Sequence, residues 1–511
     1  MTMASFIGLF DALALLLVVL LLKVLLSRRA RPPLPPGPKG YPLIGNLRDM
    51  PSGHAWKTFA AWGEKHHSDI LSVTTFGKSL IILNSSNVAF ELLDKRSTIY
   101  SDRPTLVMGG ELLGWNTGLP LSRYKNPPGR FRRLRRMFHG VIGTKPLTEK
   151  FLGIEEKWNR LFLRKLLERP SEFTEHIRWM VGSIILEITY GYPVKEPVDP
   201  IVELIDKALH QFLTATAPGA FLVDIVPALR YVPAWFPGAS WKRKVTSWAK
   251  TRSDALNVPF NYVKDHMAAG TAPPSLVSNL LEGSDENTEQ EFDIMCAATS
   301  MHGAGSDTTV AAINTFILAM TLNPAVQAAA QAELDRVVGP VRLPTASDRK
   351  DLVYLEAVIK ESLRWGPVLP LGLPHRVTDD DVYEGYFIPK DCTVIANIWQ
   401  MLHDPAVYSN PHVFNPDRFL GAHPEADPSS LYFGFGRRIC PGIHLAELTI
   451  FTTCATMLYL FDITKTVDRV TGQTISVAAE FTGGLVSRPK PFACDIQSRS
   501  KRSESLIRSV V

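Results

Sequence analysis

Residues 289–321 carry an unbroken helical pattern, unusually long for a helix of a globular protein. Such a helix needs a large body packed around it. Gly303 and Gly305 stand in its middle, where a glycine costs about 1 kcal/mol relative to alanine. A locally opened or bulged helix with a functional reason is therefore expected there. Further helical patterns cover residues 153–167, 173–189, 201–214, 325–338 and 354–365, and another starts after Pro441 and runs towards Tyr459. Short strand-like pieces lie at 70–75, 80–83, 382–388 and 393–397. By length alone, 511 residues would hold two or three domains or one large one. From 41 to 495 there is no second linker, internal repeat or low-complexity tract. The expectation is one large domain over 41–495, mainly α with minor β, and a mobile polar tail at 496–511.

The N-terminal end raises a membrane question. Residues 6–26 are an apolar run, and about 20 helical residues span the ~30 Å hydrocarbon core. Asp11 and Lys23 lie near its two ends, Arg28, Arg29 and Arg31 follow it, and no Lys or Arg precedes it. The positive-inside rule then places everything after the run in the cytosol. A cleaved signal peptide would need a basic start, a shorter apolar core and a small-residue cleavage site. Residues 6–26 are therefore read as a single-pass transmembrane signal-anchor in the endoplasmic reticulum membrane, with 1–5 lumenal. Residues 27–40 form a basic, Pro-rich hinge, where Pro32, Pro33, Pro35, Pro36 and Pro38 exclude a helix. It reads as a stiff extended spacer, with a proline-rich partner motif as the competing reading.

Composition narrows the class. A chain 45% hydrophobic and 21% charged folds rather than staying disordered. The 55 basic and 50 acidic side chains leave a net charge of +5, too small to imply a nucleic-acid partner. Five scattered cysteines are too few for a disulfide scaffold, and free thiols agree with a cytosolic body.

The most informative residues surround Cys440: Phe433, Gly434, Phe435, Gly436, Arg437, Arg438, Ile439, Cys440, Pro441, Gly442. Glycines allow close backbone approach, and the cysteine stands where a helix is expected to begin. A helix N-terminus favours a thiolate, which is a good single axial ligand for iron. Zinc would want three or four ligands, and no CxxC or nearby His cluster supplies them. By chemistry alone a lone cysteine is more often a buried small hydrophobe. The stretch, however, resembles the heme-binding signature of the cytochrome P450 family, FxxGxRxCxG, at Phe433, Gly436, Arg438, Cys440 and Gly442. The resemblance implies the cytochrome P450 fold, heme b, and Cys440 as axial ligand. The other cysteines take the bland reading.

Two more motifs resemble the family's. Glu361 and Arg364 lie one helical turn apart, by themselves a common surface pair. They match the family's ExxR motif, and the segment around Arg418 resembles the one that supplies a second arginine. The resemblance implies a buried structural triad of Glu361, Arg364 and Arg418. Asp307 and Thr308, in Ala304-Gly305-Ser306-Asp307-Thr308-Thr309, resemble the family's oxygen-activation motif. An acid beside an alcohol can relay protons. The bland reading is a threonine bonded to a carbonyl one turn back. Arg438, Arg376 and Arg135 lie where the family places basic groups for the heme propionates, and arginine suits carboxylates. At the third position the family usually has Trp four residues ahead; Phe131 stands there instead, without an indole N–H. A solvated basic face is the competing reading of that cluster, and it would also suit an acidic electron donor.

The resemblance places substrate walls at 105–115, 212–223, around Met301 and His302, at 368–373 and in a hairpin at 481–486, nearly all apolar. Residues 226–236, with Tyr231, Trp235 and Phe236 among prolines, read as an interfacial patch. The implied activity is an oxygen-inserting monooxygenase. It takes electrons from NADPH through NADPH-cytochrome P450 reductase, with cytochrome b5 as a further donor and O2 as co-substrate. The pattern looks most like fungal secondary-metabolism members, with a terpenoid or related apolar small molecule as substrate. The reading from a different class is a heme-thiolate protein that rearranges peroxides or binds heme without turnover. Such proteins can dispense with the acid–alcohol pair that this chain keeps.

Overall fold

The computed structural model describes residues 32–509 apart from 126, 196–198, 218, 284–287 and 469. The expected anchor at 6–26, its lumenal end at 1–5 and the first part of the hinge lie outside the described residues. The long helix forms as Thr288–Leu322. It is apolar on every side, as Ala297, Ala298, Ile313, Phe316, Ile317 and Leu318 are all buried, and a helix apolar all round belongs in a core. Around it pack the helices Arg130–Ile142, Phe173–Tyr190, Val353–Trp365 and Ile443–Leu460. The helix continues through Gly303 and Gly305, so the expected opening does not occur. The glycine serves packing instead: a Cβ at Gly305 would lie 3.0 Å from Ile185 Cδ1 of the neighbouring helix.

The strands flank this bundle. β1 (Ile70–Thr75) pairs antiparallel with β2 (Lys78–Leu83). β2 pairs parallel with β6 (Thr393–Ala396), which pairs antiparallel with the short β3 (His375–Arg376). The piece expected as one strand at 382–388 is a tight hairpin of β4 (Asp381–Tyr383) and β5 (Tyr386–Ile388). Glu384 and Gly385 both take positive φ at its turn, as a two-residue hairpin of matching twist requires. β7 (Phe461–Lys465) and β8 (Cys494–Ser498) pair antiparallel without having been anticipated from the sequence.

Two further expectations change, and one helix was not anticipated. The described part of the Pro-rich hinge is extended but docked: Pro36 O accepts the Ser72 N–H at 2.9 Å and Pro33 O the Phe387 N–H at 2.7 Å. A 28-residue helix, Trp241–Ala268, runs through Pro259. An interior proline costs about 3 kcal/mol. Burial of Leu256, Pro259, Phe260 and Val263 on one face offsets it. The described part of the tail, 496–509, has regular structure. Its first residues complete β8, and Lys501–Ser509 is a helix that buries Ser503 and Ile507. Arg499 pairs with Asp335 at 2.7 Å, which fixes its start. Among the described residues, Ile443–Leu460 is long and apolar enough to cross a membrane, yet 78% of it is buried in the core.

Candidate active site

The Cys440 loop is built by backbone geometry. Gly436 has φ +51°, and a Cβ there would collide with Leu93 O, so only glycine lets the loop close on that segment. The Cys440 N–H donates to Phe433 O at 2.8 Å. The helix beyond begins at Ile443 with Gly442 as its N-cap, so the sulfur sits ahead of the helix rather than at its first turn. Burial pushes the Cys440 thiol up, against the pulls of the Gly442 N–H and the Arg135 guanidinium. Those two groups, the first of them the N-cap amide of the following helix, are the local support for a thiolate.

Cys440 opens on a cavity of about 240 Å³. Its walls combine Phe433, Arg438 and Cys440 with Ala304 and Thr308 of the long helix and with Val368, Leu369, Leu371 and Leu373. Residues 105–115 and 212–223 do not line it. They pack on each other, with the Trp115 and Phe212 rings 4.9 Å apart. Phe481 also turns elsewhere, onto Trp365 at 5.6 Å.

Three arginines reach the cavity without a carboxylate partner among the described residues: Arg103, Arg135 and Arg438. Backbone carbonyls hold them. Arg438 donates to Ser101 O and Ser122 O, both at 2.7 Å. Arg103 donates to Pro120 O, Leu373 O and Pro374 O at 3.0, 2.8 and 2.7 Å. Arg135 donates to Ile439 O, one residue before Cys440. Burial and the neighbouring Arg103 push Arg438 down to about 8, and burial pushes Arg103 down to about 10. A guanidinium sheds its proton only with great difficulty, so the cluster calls for an anion. Phe131 lacks the indole N–H but lies under Arg438, whose guanidinium carbon is 3.9 Å from the ring centre.

Arg376, expected at the heme carboxylates, does not line the cavity. Successive strand residues face opposite ways, and in β3 it is His375 that lines the cavity. Arg376 points away and pairs with Asp102 and with Asp391, the latter at 2.9 Å. His375 Nδ1 lies 2.7 Å from Tyr100 O, and burial holds the ring well below its usual range, hence neutral. Arg103 and His375 are among the wall residues the sequence reading missed. Strand alternation could have raised His375; no spacing marks Arg103.

Glu361, Arg364 and Arg418 do meet. Arg364 grips Glu361 through Nε at 2.7 Å and Nη2 at 2.9 Å, and Arg418 Nε approaches it at 3.2 Å. All three side chains are at most 1% exposed. Asn415 N–H adds a bond to Glu361 at 2.8 Å, and Arg364 reaches Leu402 O at 2.8 Å. Asp307 and Thr308 diverge. Thr308 lines the cavity and donates to Ala304 O at 2.6 Å, while Asp307 faces Arg488 and Arg178 on the other side.

The cavity suits a flat macrocycle that carries two carboxylates and a thiophilic metal. The carboxylates would meet Arg103, Arg135 and Arg438, and the metal would meet Cys440. This defines a class, the proteins that hold heme through a single thiolate. The chain belongs to the cytochrome P450 family: the model of that family matches residues 35–493. Cytochrome P450 monooxygenase 208 of Postia placenta is 48% identical over 498 residues, covering 97% of this chain and 96% of that protein. Cytochrome P450 monooxygenase claR of Ampulloclitocybe clavipes is 45% identical over 482 residues, 93% of this chain and 88% of the relative. The tryptamine 4-monooxygenase of Psilocybe cyanescens is 40% identical over 485 residues, 93% and 94% of the two chains. The protein is thus a cytochrome P450 monooxygenase, with heme-thiolate chemistry that uses NADPH and O2.

Proposed function

We propose that the protein oxygenates an uncharged apolar small molecule of fungal secondary metabolism, of terpenoid type. The observation that carries this is the cavity wall. It is lined by Leu119, Ala304, Val368, Leu369, Leu371 and Leu373, and no Asp or Glu is among its lining residues. An ammonium would find no counter-ion there. Its one helix hydroxyl besides the threonines, Ser300, is committed: it donates to Cys296 O at 2.6 Å and accepts the Leu119 N–H at 3.0 Å.

In this reading heme, bound through Cys440, supplies the activation of O2. Arg103, Arg135 and Arg438 bind and orient its carboxylates. Phe433, Gly436 and Gly442 shape the loop under it, and Glu361, Arg364 and Arg418 brace the region behind. Asp307 draws protons from the solvent side, and the Thr308 hydroxyl hands them to the cavity. The apolar wall orients substrate and excludes water. The electron donor is NADPH-cytochrome P450 reductase, with cytochrome b5 as a further donor.

Residues 6–26 anchor the chain in the endoplasmic reticulum membrane with this domain in the cytosol. Exposed apolar side chains support it: Leu43 is 94% exposed, Tyr231 81% and Trp235 80%. The test is co-expression with a reductase and candidate terpenoids. A product that gains one oxygen atom only when reductase and NADPH are present is expected. Turnover with peroxide alone would favour the rearranging class, and conversion of tryptamine in preference to terpenoids would overturn the substrate reading.

A further inference from the structure

The Asp307 carboxylate is buried, at 5% exposure, and receives two guanidiniums. Arg488 Nη2 lies 2.9 Å from Oδ2, and Arg178 Nη1 lies 3.5 Å from Oδ1. The two are not equivalent. Arg178 also acts on Asp206, whose carboxyl is pushed up by burial, down by Arg178 and up again by Asp307. Its charge is therefore divided between two acids. Arg488 pairs with Asp307 alone among the described residues, and at the shorter distance.

The base of Arg488 is tied by hydrogen bonds to a segment that meets the cavity wall. Thr482 N–H donates to Arg488 O at 2.8 Å, and Arg488 N–H donates to Thr482 Oγ1 at 3.1 Å. Ser487 N–H donates to Val368 O at 2.8 Å, and Val368 is a cavity wall. Phe481, at the other end of the loop, packs on Trp365. A closed circuit thus runs from Val368 through Ser487 and Arg488 to Asp307, and from its chain neighbour Thr308 back to the cavity.

We propose that Arg488 is a positioning residue of the proton relay: it keeps the Asp307 carboxylate oriented and ties it to the cavity wall through the 481–488 loop. The inference rests on the relay reading of Asp307 and Thr308. A buried carboxylate needs a well-made partner. Without Arg488, the longer contact to the shared Arg178 is what remains, and it draws the carboxylate towards Phe173–Tyr190.

The test uses the heme-loaded enzyme with its reductase and no added substrate. Two electrons and two protons turn O2 into peroxide; four of each turn it into two waters, so water formation reads proton delivery. Arg488→Ala is expected to lower water formation about tenfold, less than the ~10²–10⁴ that a proton-transfer group itself contributes. Arg488→Lys restores most of it, because lysine returns the charge without the fork. Arg178→Ala has the smaller effect. Amide exchange over 482–488 rises in Arg488→Ala and in Asp307→Asn, and no further in the double variant. An unchanged peroxide-to-water ratio in Arg488→Ala, beside a shifted one in Asp307→Asn, overturns the inference alone. So does additive exchange in the double variant. An unchanged ratio in Asp307→Asn overturns the relay reading as well.

Discussion

Arg364 and Arg418 on one side, and Arg103, Arg135 and Arg438 on the other, are guanidiniums walled in by the same protein but held in opposite ways. The first pair closes on Glu361, with Asn415 N–H and Leu402 O completing the set. The second group closes on backbone carbonyls alone, and burial pushes Arg438 down to about 8. Buried charge is stable when paired and costly when not. The triad is therefore finished by the chain itself, while the cavity cluster is finished by carboxylates that the chain does not contain. Glu155 shows a third solution. It is buried against Thr449 with no cation beside it among the described residues, and burial pushes its carboxyl up to about 8. A carboxyl can escape burial by keeping its proton; a guanidinium cannot.

The largest expected effect breaks the finished side. Glu361→Ala leaves two buried guanidiniums without their acid and should cost about 3–5 kcal/mol. Denaturant unfolding and the heme content of purified protein read it, and normal heme loading would dismiss the triad. Next comes the unfinished side. Arg438→Leu should weaken heme retention by about 1.5–3 kcal/mol, the worth of hydrogen bonds to a charged group. The heme-free variant should unfold no more easily than wild type, since a poorly partnered charge has been removed. A loss of heme-free stability equal to the loss of heme affinity would show the two arginine groups to be alike.

Glu155 sharpens the comparison through pH. Its carboxyl lies 2.6 Å from Thr449 Oγ1, whose hydroxyl also reaches Leu445 O at 3.0 Å. A protonated Glu155 can donate to Thr449 while Thr449 donates onward. The folded chain thus keeps a proton that the unfolded chain releases at its ordinary value of 4.5. Stability from this site is full below that value and falls as pH rises from 4.5 to about 8. The slope is at most about 1.4 kcal/mol per pH unit. Glu155→Gln should flatten that dependence in urea melts across the range, and an equal slope in the variant would contradict it. The smallest effect on heme belongs to Arg376. Its partner Asp391 is exposed but Asp102 is buried, so Arg376→Ala should cost about 1–3 kcal/mol of stability and leave heme retention unchanged.

How much of this could be read from the chain follows from what each feature depends on. The Cys440 loop, Glu361 with Arg364, and Asp307 with Thr308 are close in sequence, so their spacing shows before folding. The long helices are legible because their apolar period extends over many turns. Arg103 and His375 are brought to the cavity only by tertiary packing. Arg376 misled because it neighbours the right residue on the wrong face of a strand. Pro259 hid a helix whose stability comes from burial, and the basic tail hid the two small contacts, Ser503 and Ile507, that dock it.

The account stands or falls on Cys440 as the ligand that makes this a heme-thiolate enzyme. The direct measurement is the ferrous–CO difference spectrum of heme-loaded protein beside Cys440→Ser. The wild type should show the red-shifted band of a thiolate ligand and the variant should lose it. A wild type without that band, or a Cys440→Ser variant that keeps it through another of the five cysteines, would contradict the account.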